Sequence, residues 1–150
     1  MTNQVPHPIQ LHGVVFTRSV VIAIPNHVQE PGAVIAGPKN SITVAKNKES
    51  PGSYEVTMKV GLNADSENQY PYLLDMECKA IFSADNTLSE EEALRAVYIT
   101  GHSVAYGAIR EAVSWITARQ PYGPLILGLS VLQNAPIAEA GRPVLANPAP

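Results

Sequence analysis

The sequence predicts an α+β fold, with three or four antiparallel strands followed by helices. Three observations carry this. Residues 54–64 and 72–82 alternate apolar and polar side chains at period two, so each is a strand with one buried and one wet face. A short polar segment joins them, which makes the pair an antiparallel hairpin. After the hairpin come the sequence Ser89-Glu90-Glu91-Glu92 and an apolar stripe at helical spacing, a capping box and the helix it starts. A single wet face also excludes a doubly wound parallel sheet, whose strands are covered on both sides.

The elements follow in order. A first strand is expected over Ile9–Ile24, with the β-branched run Val20-Val21-Ile22-Ala23-Ile24 stopping at Pro25-Asn26. Gly13 inside it marks a bulge or bend. Pro25 to Asn40 reads as a crossover loop, long for a compact domain and so a functional candidate. Ser41–Ala45 is a short strand, and Lys46–Ser53, with Pro51-Gly52, is a turn. In the hairpin, Tyr54, Val56, Met58, Val60, Leu62 and Ala64 share one face. Across the polar turn Asp65–Gln69, Tyr72, Leu74, Met76, Cys78, Ala80 and Phe82 point one way, and Leu73, Asp75, Glu77, Lys79 and Ile81 the other. A short helix from Ser89 is expected to break near Gly101. A second, His102–Arg119, buries Ala105, Ala108, Ile109, Ala112, Val113 and Ile116 and turns Thr117 away. Pro121, Gly123 and Pro124 end it before the apolar run Leu125–Leu129. Residues 1–133 read as one domain, and the Pro- and Ala-rich residues 134–150 as a flexible tail.

Composition narrows the function. The 150 residues hold ten Lys+Arg against 13 Asp+Glu, a formal charge of -3. That balance lacks the basic stripe of a nucleic-acid binder. No apolar run reaches the roughly 20 residues of a membrane span. The N-terminus lacks the basic-then-apolar pattern of a secretory signal, and the single Cys78 forms no internal disulfide, so a cytoplasmic protein is expected. Charged residues are only 15%, against about 25% in typical soluble domains. Such a chain must expose apolar surface, hide it in an oligomer, or cover it with a ligand.

Catalytic motifs fail on inspection. Gly101-His102-Ser103-Val104-Ala105 follows the β-like run Ala96–Thr100 and imitates a nucleophile elbow. Ala105 replaces its second Gly, however, and no His or Asp follows Ser103. His7, His12, His27 and His102 lack metal-ligand spacing, and no phosphate loop is present. Asp75 and Glu77, with Lys79 beside them, read as a solvated sheet face rather than an acid–base pair. Cys78 lies on the apolar face as a structural thiol. No cofactor and no enzyme activity are expected; binding is.

The chain resembles the bacterial protein-export chaperone SecB family. The resemblance rests on Val15-Phe16-Thr17-Arg18 through Pro25-Asn26, on Tyr54-Glu55-Val56, on Leu73 to Ser83, on the Tyr106–Arg119 helix and on Pro124–Val131. It implies a four-stranded antiparallel sheet, a long crossover loop and a main helix, assembled as a homotetramer built as a dimer of dimers. It implies an ATP-independent holdase that keeps unfolded preproteins in hydrophobic grooves and hands them to the motor SecA. Groove positions match Ile42, Val44 and Tyr72, with Ile126 and Leu127 close by; ordinary core is the competing reading of each. Leu73 and Asp75 match the face that receives SecA, and Leu74, Met76 and Cys78 the side facing the helices and the oligomer interface. Departures are Ser19 and Ala23 in place of first-strand acids, Gln133 in place of a groove aromatic, and the missing acidic tail. They fit a SecB-like chaperone dedicated to one partner such as an antitoxin; a non-catalytic interaction scaffold is the other alternative.

Overall fold

The computed structural model describes residues 6–28, 35–63 and 70–132. The elements are β1 (Ile9–Ala23), β2 (Ile35–Ala36), β3 (Lys39–Lys46), β4 (Ser53–Leu62), β5 (Tyr72–Ala84), α1 (Glu90–Thr117) and β6 (Ile126–Leu127). Four strands form one antiparallel sheet in the order β1-β5-β4-β3, and β2 pairs with β6 in parallel. The expected α+β architecture is therefore present. Strand boundaries move by one or two residues: β1 ends at Ala23 rather than Ile24, β3 runs Lys39–Lys46 rather than Ser41–Ala45, β4 runs Ser53–Leu62 rather than 54–64, and β5 ends at Ala84 rather than Phe82; the crossover also contains β2. The expected turn over 65–69, Ala64, Gln133 and the tail 134–150 lie outside the described residues.

The hairpin behaves as its pattern requires. Along β5 every second residue from Tyr72 to Phe82 is buried, while Leu73 to Ile81 are half-buried; β4 alternates likewise from Tyr54 to Leu62. The apolar side chains of β3, β4 and β5 meet α1 in one core, and the opposite face stays open to water. At the hairpin-side turn Gly52 takes φ 79°, a left-handed conformation that costs other residues strain. Strand β1 pairs with β5 as an edge and carries two bulges, between Leu11 and Gly13 and between Phe16 and Arg18. The first is where the glycine marked it.

One helix, not two, covers the sheet among the described residues. Its start is the capping box: the Glu92 N–H donates to Ser89 Oγ at 3.2 Å, and the Ser89 N–H to Glu92 Oε2 at 2.8 Å. Glu90, Glu91 and Glu92 sit in the first turn, where the helix dipole favours acids. It then runs unbroken through Gly101 to Thr117. The expected break and the β-like run Ala96–Thr100 are both overturned, because packing decides against local propensity. A Cβ built on Gly101 would stand 2.6 Å from Val56 Cγ2, so the glycine lets the helix lie close on β4. Ser103 is an exposed mid-helix residue whose hydroxyl donates to Ile99 O, which removes the elbow geometry. Thr117, expected outside, is fully buried; its hydroxyl donates to Val113 O at 2.7 Å and accepts from the Leu125 N–H at 2.8 Å.

Candidate functional site

The expected groove residues divide. Ile42 and Val44 on β3, Tyr72 on β5 and Leu127 on β6 are buried in the core of the single chain. Ile126 alone among the five is exposed, at 45%, because β6 alternates and turns Leu127 inward. The fold adds residues that the sequence pattern did not single out: Leu129 and Val131, 84% and 82% exposed, follow Ile126 on the same segment. Val28, at the described end of the crossover, is as exposed. The available signal was the apolar run Leu125–Leu129 lacking any helix or long strand to bury it.

That segment is held at a defined place on α1. The Arg110 Nε donates to Leu127 O at 2.9 Å, the Tyr106 hydroxyl to Gly128 O at 2.6 Å, and His102 Nε2 lies 3.0 Å from Ser130 Oγ. On its other side the Gly128 N–H donates to Ala36 O at 2.9 Å. The far end of the segment is set by tyrosines. Tyr72 is fully buried; its hydroxyl donates to Gly123 O at 2.7 Å and accepts from the Tyr122 N–H at 3.2 Å. The Tyr122 hydroxyl in turn donates to Ile24 O and accepts from the His27 N–H. Tyr72 and Tyr122 thereby tie the loop after α1 to the root of the crossover.

The open sheet face carries the residues matched to SecA contact. Leu73 and Asp75 both lie there, half-buried. Its acids are not free. Arg18 Nε is 3.0 Å from Asp75 Oδ1, and its Nη2 is 3.4 Å from Glu77 Oε2. Lys59 Nζ also reaches Glu77 at 3.4 Å, and Lys79 Nζ reaches Glu55 at 2.7 Å. Three acids are thus matched by three bases. Glu77 further accepts from the Thr17 hydroxyl at 2.7 Å; that bond first, then Lys59 and Arg18, hold its carboxyl below the usual range. Ile22 stands opposite Leu73 in the register and adds an apolar corner.

On the covered face, Leu74, Met76 and Cys78 are fully buried beneath the chain's own helix. The resemblance matches them to the side facing the helices and the oligomer interface; in the single chain they are 0% exposed. Burial pushes the Cys78 thiol up to about 11, and its Sγ donates to Ala105 O at 3.5 Å, so it is no nucleophile at neutral pH. The histidines are spread: His12 meets Ser83, His27 packs edge-on to Tyr122, and His102 stacks on Tyr106. Among the described residues no three His, Cys, Asp or Glu side chains gather to hold a metal, and no helix is long and apolar enough to cross a membrane.

This arrangement has relatives. The protein-export proteins SecB of Anaplasma marginale strains Florida and St. Maries are each 28% identical over 74 residues, 49% of this chain. The match spans 42% of the length of those relatives. A solved SecB-like chaperone of Mycobacterium tuberculosis, Rv1957 in complex with a ChAD peptide from the Rv1956 HigA1 antitoxin, has the same fold. Its TM-score is 0.55 at 20% identity, over 83% of this chain and 91% of that one. The sequence pattern of SecB, the preprotein translocase subunit, matches residues 13–129. With that match over most of its length, the chain belongs to the SecB family.

Proposed function

We propose that this protein is an ATP-independent holdase that binds non-native polypeptide along the apolar strip Ile126–Val131. The observation that carries this is the strip itself: three large apolar side chains left in water on a segment that α1 and β2 hold in place. Apolar burial stabilises by about 25 cal/mol per Å2 and is non-directional, so one strip accepts clients of varied sequence. Leu127 on the same segment is buried, and Tyr72 fixes the loop that leads into it through the Gly123 carbonyl. Family membership supports the reading. So does the peptide bound by the Mycobacterium tuberculosis relative. The expected site of action is the cytoplasm, as a homo-oligomer, with a tetramer built as a dimer of dimers as the form to check by light scattering.

The purified protein is expected to suppress aggregation of a chemically denatured client without ATP. Ile126→Asp combined with Leu129→Asp should weaken client binding by about tenfold or more, since a full Leu or Ile contact is worth about 1.5–3 kcal/mol and 1.4 kcal/mol is tenfold. Equal protection by the wild type and the double variant would sink the strip as the site. Loss of all protection in the wild type would sink the holdase.

Delivery to SecA is the finer proposal and rests on Leu73 and Asp75. Asp75→Arg replaces an attractive charge by a like one beside Arg18, and is expected to lower SecA affinity while client holding persists. Fold stability should move by no more than about 0.5 kcal/mol, as for an exposed pair. Unchanged SecA affinity in a calorimetric titration would count against the contact. The alternative, a chaperone dedicated to one partner such as an antitoxin, is favoured by the matched charges of this face, which leave little acidic surface for a motor. Recovery of one stoichiometric partner, with no suppression of aggregation for unrelated clients, would establish it.

A further inference from the structure

Residues 102, 106 and 110 stand one helical turn apart on a single face of α1. They grip successive parts of the segment that follows the helix: Ser130 Oγ, Gly128 O and Leu127 O. The opposite side of that segment pairs with the crossover, Ile35 with Ile126 and Ala36 with Leu127. Asn40 Nδ2, from β3, donates to Ser130 Oγ at 3.2 Å. A guanidinium group does not lose its proton in proteins, and burial raises the Tyr106 hydroxyl above its usual value. The third rung is different, because His102 is titratable and only 5% exposed.

We infer that residues 126–132 form a strap on α1 whose His102–Ser130 rung opens on protonation of the imidazole, so that mild acid frees the segment bearing Leu129 and Val131. Ser130 Oγ accepts from Asn40, and with the imidazole neutral and its proton on Nδ1 the Ser130 hydroxyl can donate to His102 Nε2. A protonated ring can only donate there. It would also bring a second N–H and a full charge into a buried site, which is costly without a partner.

Among the described residues the neighbours named by the contacts supply no such partner. From α1 the ring meets Tyr106, stacked at 5.8 Å and 10°. From the strap it meets the Ser130 hydroxyl, from β3 the Asn40 amide lies behind that hydroxyl, and from β4 the apolar Val56 abuts adjacent Gly101. None of these is a carboxylate. Burial accordingly holds the imidazole below its ordinary value. In an opened strap the ring is wetted and returns toward roughly 6.5. The sign follows: the rung contributes fully above the open-state value and is lost as pH falls from there toward the lower strapped-state value. The inference goes beyond the holdase reading, since opening is read without any client.

Hydrogen exchange on the full chain at pH 7.5 and 5.0, corrected for intrinsic rates, tests it. Protection of the Gly128 amide and its strap neighbours is expected to fall by up to about tenfold per pH unit, the limit for one linked proton. Amides of the β4–β5 ladder should hold. His102→Gln keeps a hydrogen-bonding partner for Ser130 but cannot titrate, and should give equal strap protection at both pH values. Equal protection in the wild type, or unchanged pH dependence in His102→Gln, would overturn the inference. If that variant does not fold, NMR titration of the wild-type imidazole decides: a midpoint below about 6.5 supports the strap, and one at or above it overturns it.

Discussion

Tyr72→Ala is expected to destabilise the fold by about 3–5 kcal/mol, the range for truncating a large buried aromatic. Tyr72 is wholly buried and packs edge-on to Tyr122 with ring centroids 5.8 Å apart. Its hydroxyl serves the Gly123 carbonyl and the Tyr122 N–H together. Tyr72→Phe separates the two contributions. It keeps the ring but leaves both backbone groups without that partner, at about 1–3 kcal/mol. Urea unfolding of the two variants measures the difference. If Tyr72→Phe matches the wild type, the hydroxyl is not the tie between the α1–β6 loop and the sheet. If Tyr72→Ala is equally mild, the residue is a wetted groove position rather than a core anchor. The same pair of variants therefore decides between the two readings that the sequence left open for this residue.

What the sequence could show depended on which forces act locally. The alternation of 54–62 and 72–82 was legible because α1 covers one face and water the other, so burial is written at period two. The capping box was legible because both its bonds join residues three apart. The continuous helix was not, since Val97, Ile99 and Thr100 before a glycine imitate a strand and a break. A signal did exist: Ala93, Val97, Gly101, Ala105, Ile109, Val113 and Thr117 recur every fourth residue, and all are buried. The charge pairing of the open face was out of reach for another reason. The bulge between Phe16 and Arg18 leaves Thr17 without a ladder partner and sets Arg18 opposite Glu77, so both side chains reach one carboxylate. A one-residue change of register would have turned Arg18 to the other face. The strip was half legible. Its apolar run stood out, but Ile126 and Leu127 looked equivalent until β6 gave them opposite faces.

Gly101→Ala puts the packing account to its hardest trial, because helix propensity and packing predict opposite signs. On propensity alone, replacing a mid-helix glycine by alanine stabilises by about 1 kcal/mol. Here the added methyl would lie 2.6 Å from Val56 Cγ2, 3.1 Å from Cγ1 and 3.3 Å from Cβ. Val56 cannot move aside: it is fully buried, it is held in the β4 ladder opposite Val44 and Ala80, and its β-branched side chain is stiff at χ1. Overpacking costs about 1–3 kcal/mol, so the variant is expected to lose stability, and Gly101→Val, with two more carbons aimed at β4, to lose several times as much. Val56→Ala by itself opens a cavity and destabilises too. In Gly101→Ala/Val56→Ala the new methyl fills part of the space that the valine leaves, so the double variant should be more stable than the two single losses predict, by about 0.5–3 kcal/mol of coupling. Denaturant midpoints of the four proteins give that coupling directly. A stabilised Gly101→Ala, or strictly additive losses, would mean that the helix does not rest on Val56 and that the glycine has another reason to stand at the centre of α1.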